Sequence, residues 1–484
     1  MLFNSIEFAF FLPVVFLIYW AIGSAHIDDT RKLRLQNAFV VVASYVFYGW
    51  WDWRFLLLIA FTSLCSWSSG LLIDKSRKSS VKRSRFWLWL NIAVNIGILA
   101  AFKYYDFFVT EFGQLFGIRT DTILLHVILP VGISFYTFQA LSYSIDVYRQ
   151  KIAPTRDSIA FFAFIAFFPQ LVAGPIERAT NLLPQFLSNR KFSYDQAADG
   201  MRQILWGLFK KIVIADNCAT YVDQVWASYS SQTGSTLLLA AILFTFQIYC
   251  DFSGYSDIAI GTAKLFGIRL MRNFNNPYFS RDIAEFWRRW HISLTTWFRD
   301  YIYIPLGGSR VSKGKIIRNI VIIFLVSGIW HGANWTFLLW GTYHALLFLP
   351  LILAGVNRRY TNQVAEGRFV PTWRETRQIL LTFMLVVIGW VIFRAPDMSS
   401  CLHFMQGLLD ASLFSMPHAG AARQIPTILC ILIMMVTEWC QRNKQHGLEI
   451  NNQPWYIRYP VYIAIAGLIF YLGEESQTFI YFQF

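Results

Sequence analysis

Long apolar runs alternate with short polar segments along this chain. A helix needs about 20 apolar residues to cross the hydrocarbon layer of a membrane. A dozen runs approach that length: 8–23, 37–51, 55–73, 86–102, 122–145, 158–173, 234–258, 319–331, 335–355, 377–394, 425–440 and 459–473. A further piece at 204–216 is doubtful because it contains Lys210 and Lys211. The pattern predicts an all-α, polytopic membrane protein with about 11–13 transmembrane or re-entrant helices.

Composition supports this prediction and excludes an ordinary soluble enzyme. Of 484 residues, 56% are apolar and 14% are charged, whereas soluble domains carry about 25% charged residues. The net charge of +14 is typical of the basic loops that orient membrane proteins, so we do not expect nucleic-acid binding. The six cysteines form no CxxC pair, and we expect neither a metal site nor a cofactor. Because no repeat or linker interrupts the chain, we expect one domain over 1–484.

Basic residues in short loops predict the orientation in the membrane. Loop 74–85 holds six basic residues and one acid, so we assign it to the cytoplasm. Alternation then places the N-terminus outside. The segment 261–318 carries eleven Lys or Arg against three acids and falls inside. The stretch 174–233 is nearly balanced in charge, and its depth is left open.

The segment 281–305 has apolar residues at spacings of three and four, which predicts one amphipathic helix lying at the cytoplasmic interface. Asp282 and Glu285 resemble a capping box at its start. His291 falls on the apolar stripe, where a histidine is more often structural than catalytic. The opposite, solvated face is predicted to carry Arg288, Arg289, Ser293, Thr296 and Arg299. These arginines are most economically explained as a topology signal, although arginine and lysine also bind phosphate well.

The run after Arg318 places His331, Asn334 and His344 among apolar residues. Ionisable groups at membrane depth are costly and usually line a bundle interior or a wet cavity. The alternative is a histidine that only hydrogen-bonds between helices. The clustering of Gly, His and Asn favours function for His331, while His344 is left open. Gly328 and Gly332 have the spacing that lets another helix approach closely. Asn334 would share the face of His331 and orient its ring if the helix continued.

Several stretches resemble a known family. They are KYYDFF (103–108), FPQLVAGPIER (168–178), DFSGYSDIAIG (251–261), FWRRWHISLTTWFRDYIYIPLGG (286–308), SGIWHGANWTFLLWG (327–341) and FIYFQF (479–484). In this order they resemble the membrane-bound O-acyltransferases, especially the alginate O-acetylase (AlgI-like) subfamily. The resemblance implies helices around a central funnel, with a catalytic region at about 261–345.

The resemblance also implies chemistry. A bacterial inner-membrane enzyme would move acetyl from cytoplasmic acetyl-CoA to an extracytoplasmic polysaccharide, commonly with a periplasmic or membrane-tethered SGNH-type acetyltransferase as partner. The family's essential histidine maps onto His331 and its second functional histidine onto His291. His331 would act as general base, and His291 would orient the donor or stabilise the oxyanion. Residues expected near the donor are Arg288, Arg289, Trp290, Arg299, Asn334 and Asp251. Asp251 and Asp257 flank a predicted GYS turn, where they would line the funnel or cap a helix.

Three alternatives stay open at this point. The same fold would serve a carrier-borne D-alanyl thioester and a teichoic-acid acceptor, as in DltB-like proteins. The second alternative, from another functional class, is that the protein exports polysaccharide or lipid-linked sugar without catalysing a reaction. A third would be a scaffold that only assembles a periplasmic transferase. The sequence does not identify the acceptor, because alginate, cellulose and peptidoglycan would all suit such a channel.

Overall fold

A computed structural model of the protein describes residues 1–120, 123–126, 128–172, 174–417, 419–473 and 477–480. Within these ranges every regular element is a helix and no strand is present, so the predicted all-α class is confirmed. Two of the family-like stretches fall partly outside the described residues. These are Ala173 of the stretch 168–178 and residues 481–484 at the end of the chain.

Contacts between Cα positions divide the chain into two compact units, which are described separately. The first comprises Met1–Met201 and Ala259–Met271, and the second comprises Arg202–Ile258 and Arg272–Phe484. The prediction of one domain stays a prediction.

The first unit holds the N-terminal helices. They are α1 (Ile6–Ser24), α2 (Asp29–Gly49), α3 (Phe55–Arg77), α4 (Val81–Lys103), α5 (Tyr105–Phe116), α6 (Ile133–Tyr148), α7 (Ser158–Ala166), α8 (Phe168–Leu171), α9 (Ala179–Phe186) and most of α10 (Tyr194–Leu208). Buried amides and hydroxyls join them. Asn91 of α4 donates to Ser144 of α6 at 2.8 Å, and Ser66 of α3 lies 3.2 Å from Asn91. Such interhelical hydrogen bonds hold helices together where apolar packing gives no preference over lipid.

The second unit holds the remaining helices. They are α11 (Asp216–Ala227), α12 (Gly234–Leu265, whose last residues belong to the first unit), α13 (Ile283–Arg289), α14 (Ile292–Phe298), α15 (Lys313–His331), α16 (Trp335–Leu353), α17 (Trp373–Arg394), α18 (Met398–Gly407), α19 (Ile425–Cys440) and α20 (Trp455–Leu472). Two π-helical turns, Phe209–Ala215 and Arg299–Tyr303, precede α11 and follow α14.

Nine helical segments of the described chain are long and apolar enough to cross a membrane, which confirms a multi-pass protein. They are α1, α3, α4, α12, α15, α16, α17, residues 420–440 and α20. Two predicted spans are wrong as single helices. The described part of the run 158–173 is divided between the short helices α7 and α8. In the run 122–145, the described residues before Ile133 are not helical, and residues 122 and 127 lie outside the described residues. The run 37–51 lies in α2, which is not among the nine.

Three charged residues of the doubtful piece at 204–216 pair with one another and with two aspartates of α12. We name this set the buried ion cluster: Lys210, Lys211, Asp216, Asp251 and Asp257. Lys210 Nζ lies 2.6 Å from Asp257, while Lys211 Nζ lies 2.6 Å from Asp216 and 2.9 Å from Asp251. Charges inside a protein are tolerated when they are paired in this way. The predicted turn between Asp251 and Asp257 is wrong, since both residues lie inside the continuous helix α12.

Candidate active site

Helices α15 and α16 pack very closely and place His331 at their junction. A Cβ atom at Gly328 would collide with the backbone carbonyl of Phe337, and one at Gly341 would collide with that of Phe324. Only glycine permits this approach, so the close helix packing predicted at Gly328 is confirmed. The other half of the predicted pair is wrong as a helix-face position, because Gly332 lies beyond the end of α15 in extended conformation. His331 is the last residue of α15.

The helix does not continue to Asn334, so the expected sharing of a face with His331 is wrong. The chain is extended at Gly332, and Asn334 forms the N-cap of α16. Its Oδ1 accepts from the backbone N–H of Thr336 at 3.0 Å, and its Nδ2 donates to the carbonyl of Pro396 at 2.6 Å. Asn334 therefore shapes the turn after His331 through the backbone.

His331 is only 5% exposed and is surrounded by aromatic rings. Its ring centroid lies 4.8 Å from that of Trp330, 5.1 Å from that of Trp340 and 5.1 Å from that of Phe393. Each of the three pairs meets edge to face. Such walls exclude water and fix the orientation of the imidazole.

His344 lies on α16 near the same tryptophan. The centroids of His344 and Trp340 are 5.0 Å apart, and Trp287 lies 5.0 Å from His344 on another side. Trp340 thus contacts both histidines.

The predicted amphipathic helix over 281–305 is wrong as a continuous element. Helix α13 ends at Arg289 and α14 begins at Ile292, with Trp290 extended and His291 in the left-handed region at φ 42°. The break is stabilised by backbone hydrogen bonds to the segment that follows α12. Asn275 N–H donates to the carbonyl of Arg289, and Ile292 N–H donates to the carbonyl of Asn273. Periodicity alone gave no sign of this long-range pairing.

His291 is buried at the break and contacts two kinds of groups. Its Nδ1 lies 3.0 Å from Oδ1 of Asn273, and its ring packs edge to face on Phe252 at 4.6 Å. Burial lowers the pKa of His291 to about 3, because a charged imidazolium there would lose its hydration. The ring is therefore neutral at physiological pH.

Trp330 brings the two predicted histidines into one region. Its centroid lies 6.0 Å from that of His291 and 4.8 Å from that of His331. We refer to Asn273, His291, Trp330, His331 and Trp340 as the histidine region.

The arginines predicted to bind the donor bind other parts of the chain. Arg289 is buried and pairs with Glu285 at 2.8 Å, while Arg288 donates to the carbonyls of Asn357 and Tyr360. Arg299 is exposed and pairs with Asp300 at 2.7 Å. The predicted solvated face is wrong, since Arg289 and Ser293 are buried and only Arg299 is exposed. A phosphate-binding role for these arginines stays a prediction.

Trp290 and Asp251 also have defined surroundings. Trp290 is 2% exposed and lies between Phe286 and Trp390, with centroid distances of 5.6 and 4.8 Å. Asp251 belongs to the buried ion cluster and accepts from the backbone N–H of Ile480 at 2.7 Å. Both residues support the second unit from within, and their part in donor binding stays a prediction.

Sequence reasoning missed Asn273 and the tryptophans that frame the histidines. Asn273 stands 18 residues before His291, and no local spacing connects them. For Trp330 a signal existed, because it lies between Gly328 and Gly332 and next to His331. Aromatic residues in a membrane helix are, however, ordinarily interpreted as packing residues.

The histidine region suits acyl transfer. A buried imidazole is a suitable base for a hydroxyl that attacks a thioester, and an apolar enclosure limits hydrolysis of the donor.

Comparison with known proteins agrees with this chemistry. A model of the membrane-bound O-acyltransferase family matches residues 148–391. The probable alginate O-acetylase AlgI of Pseudomonas aeruginosa is 39% identical over 443 residues, which cover 90% of this chain and 81% of the relative. The peptidoglycan O-acetyltransferase of Helicobacter pylori is 33% identical over 530 aligned residues, which cover 100% of this chain and 98% of the relative. The teichoic acid D-alanyltransferase of Bacillus subtilis is 27% identical over 278 residues, covering 54% and 68%.

The family match includes His291 and His331, and the O-acetylase relatives align with nearly the whole chain. The protein therefore belongs to the membrane-bound O-acyltransferase family and is a multi-pass O-acyltransferase.

Proposed function

We propose that this protein is an O-acetyltransferase of the bacterial inner membrane. It takes acetyl from acetyl-CoA at the cytoplasmic face and delivers it for esterification of a cell-envelope polysaccharide on the outer side. The observation that carries the proposal is the position of His331, buried among Trp330, Trp340 and Phe393 at the end of a membrane-crossing helix. The relatives that align with most of this chain carry the names alginate O-acetylase and peptidoglycan O-acetyltransferase.

In the proposed reaction His331 accepts the proton of the attacking hydroxyl. The hydroxyl oxygen forms a bond to the acetyl carbonyl carbon, and the bond from that carbon to the CoA sulfur breaks. The proton held by the imidazole then passes to the thiolate that leaves. General-base catalysis of this kind contributes about 10²- to 10⁴-fold to the rate. No further cofactor enters this scheme.

The hydroxyl belongs either to the polysaccharide or to a carrier group on the way to it. In the second case a periplasmic or membrane-tethered SGNH-type acetyltransferase completes the transfer. Neighbouring genes would distinguish the acceptors, since a polymer synthase or such a transferase beside the gene would identify the pathway.

D-alanyl transfer to teichoic acid is the second candidate. It is favoured by the similarity to the Bacillus subtilis enzyme, which covers 54% of this chain. We favour acetyl transfer because the alignments with the relatives named as O-acetylases cover 90% and 100% of this chain. Membranes supplied with radiolabelled acetyl-CoA or with a D-alanyl carrier thioester would distinguish the two donors.

The decisive experiment replaces His331 with Ala and measures acetyl esters per sugar in the envelope polysaccharides. We expect polymer in normal amount with ester content reduced at least about 100-fold, because the base is missing. The matched control is His403→Ala, which removes an exposed histidine of α18 in the same unit. This control should retain normal ester content.

Other outcomes would contradict the proposal. Reduced secretion with unchanged acetylation per sugar would indicate an exporter. Normal acetylation in a well-expressed His331→Ala protein would indicate a scaffold for another transferase.

A further inference from the structure

Asn273 is the polar partner of His291 and lies in the segment after α12. It is 0% exposed, and its side chain has a defined set of hydrogen bonds. Its Nδ2 donates to the hydroxyl of Ser256 on α12 at 3.1 Å. Its Oδ1 accepts from the backbone N–H of Ser293 at 3.3 Å and from the Ser293 hydroxyl at 2.8 Å. The same oxygen lies 3.0 Å from His291 Nδ1.

These bonds determine which end of the Asn273 amide faces the histidine. The backbone N–H of Ser293 can only donate a hydrogen bond, so the amide atom that faces it is the oxygen. A carbonyl oxygen can only accept. The Ser293 hydroxyl lies 3.4 Å from His291 Nδ1 but donates to Oδ1 at 2.8 Å. Two lone pairs 3.0 Å apart would repel, so we assign to Nδ1 the hydrogen that is shared with Oδ1.

A neutral imidazole carries one hydrogen, so the tautomer follows. With the hydrogen on Nδ1, the lone pair of His291 is on Nε2. A neutral His291 in this tautomer accepts a hydrogen bond at Nε2 and cannot donate one there. Of the two roles predicted for His291, orienting the donor agrees with an acceptor at Nε2, whereas stabilising an oxyanion would require a donor at that atom.

The backbone also keeps the ring in place. His291 has φ 42° and ψ 54°. Residues other than glycine rarely adopt this left-handed backbone conformation. The carbonyl of Asn273 accepts from the N–H of Ile292, the next residue, at 2.8 Å. One residue thus orients both the strained backbone and the imidazole. Unusual backbone conformations held in this way cluster at functional sites.

We propose that Asn273 is a positioning residue for acyl transfer, which fixes His291 as a hydrogen-bond acceptor through Nε2. The hydrogen that Nε2 receives comes from a hydroxyl of the donor, or from a hydroxyl of the acceptor other than the one that His331 deprotonates. This inference rests on the proposed function and specifies how the second histidine takes part in it.

The test compares Asn273→Leu with Asn273→Asp in membranes that contain the full chain, with radiolabelled acetyl-CoA as donor. Leu has similar size and no acceptor, so the acetylation rate should fall about 10- to 100-fold, as for other partners that orient a histidine. Aspartate at position 273 keeps an acceptor for the Nδ1 hydrogen of His291. Asn273→Asp should therefore have most of the wild-type acetylation rate near pH 8. The matched control is Asn319→Leu, a buried asparagine whose amide donates to the carbonyls of Leu306 and Gly308.

The pH dependence of the acetylation rate distinguishes whether Nε2 of His291 accepts or donates a hydrogen bond. In Asn273→Asp the carboxylate raises the pKa of His291 by opposite charge. Below the new pKa Nε2 carries a proton and no longer accepts. Because protonation of His331 lowers the rate of every variant in acid, the quantity measured is the rate of Asn273→Asp divided by the wild-type rate at the same pH, and this ratio should fall as the pH falls. If His291 acted as a donor, the ratio would rise instead, and that result would overturn the proposal.

Protein level and thermal midpoint are measured for each variant, so that misfolding is recognised. A normal rate in well-expressed Asn273→Leu would also overturn the inference. If Asn273→Leu fails to fold, the sign of the pH effect in Asn273→Asp decides. Loss of esters in His331→Ala together with normal Asn273 variants would refute only this inference, whereas normal esters in His331→Ala would refute the proposed function itself.

Discussion

The histidine region and the buried ion cluster are both interior parts of the second unit, but they are stabilised in opposite ways. The histidine region consists of aromatic rings and neutral hydrogen-bonding groups, as in the contact between His291 and Asn273. The ion cluster holds two lysines against three aspartates at distances of 2.6 to 2.9 Å. Burying a neutral imidazole costs little, whereas burying an ammonium group requires nearby carboxylates.

The two regions differ in which buried polar groups are available for chemistry. A lysine whose charge is paired with two carboxylates stabilises the fold and is not available to a substrate. An imidazole keeps one ring nitrogen for a reacting group even when the other is hydrogen-bonded. We therefore assign structure to the ion cluster and catalysis to the histidine region, and three predictions test that division.

The largest effect on folding is expected from Lys211→Met. The change leaves Asp216 and Asp251 buried without their shared cation. Breaking a buried pair by removing one partner costs about 3–5 kcal/mol. The thermal midpoint of the purified protein should fall strongly.

Lys264→Met is the matched control, because Lys264 pairs with Asp199 at 2.6 Å at a more exposed site. We expect it to cost at most about 1 kcal/mol. A Lys211→Met protein with normal thermal midpoint but no acetylation would refute the division, since it would place chemistry in the ion cluster.

A smaller loss is expected from Gly328→Ala, which tests how closely the histidine region depends on helix packing. The added methyl group would overlap the carbonyl of Phe337 and push α15 from α16. Overpacking of this kind costs about 1–3 kcal/mol. The acetylation rate should fall together with the thermal midpoint, because His331 ends α15.

The control for this variant is Gly97→Ala in α4, where an added Cβ meets no atom within 4 Å. Alanine there should be neutral or stabilising by about 0.5–1 kcal/mol. Equal losses in both variants would contradict the role of close packing.

The smallest expected effect is the loss of folding stability when the pH is lowered. The folded state holds His291 neutral down to its pKa of about 3, while the unfolded state takes up a proton below about 6.5. Stability from this group is therefore complete above about pH 6.5 and is lost as the pH falls, by up to about 1.4 kcal/mol per unit.

Thermal midpoints of the wild type and of His291→Asn between pH 7.5 and 5.5 measure this loss. Asparagine tolerates the left-handed backbone and keeps a donor for Asn273. The stability of the wild type relative to the variant should shrink toward pH 5.5. Parallel curves for the two proteins would show that His291 is not the group responsible.

Sequence patterns predicted local features well and long-range ones poorly. The apolar runs located α1, α3, α4 and the helices from α15 to α17, because a membrane helix satisfies its backbone within one segment. The spacing of Gly328 predicted a close helix neighbour for the same local reason. By contrast, the regular spacing across 281–305 predicted one helix, and the structure has a break at His291.

The sequence by itself determined that this is an all-α membrane protein and which histidines are candidates for its chemistry. Composition and run length follow from the cost of placing polar groups in lipid, and this cost acts on each segment alone. The folded chain alone reveals that Asn273 contacts His291, that Trp330 packs near His291, and that Arg288 donates to the carbonyls of Asn357 and Tyr360. These contacts join residues far apart in the sequence, so the folded chain has to bring them together before their roles are defined.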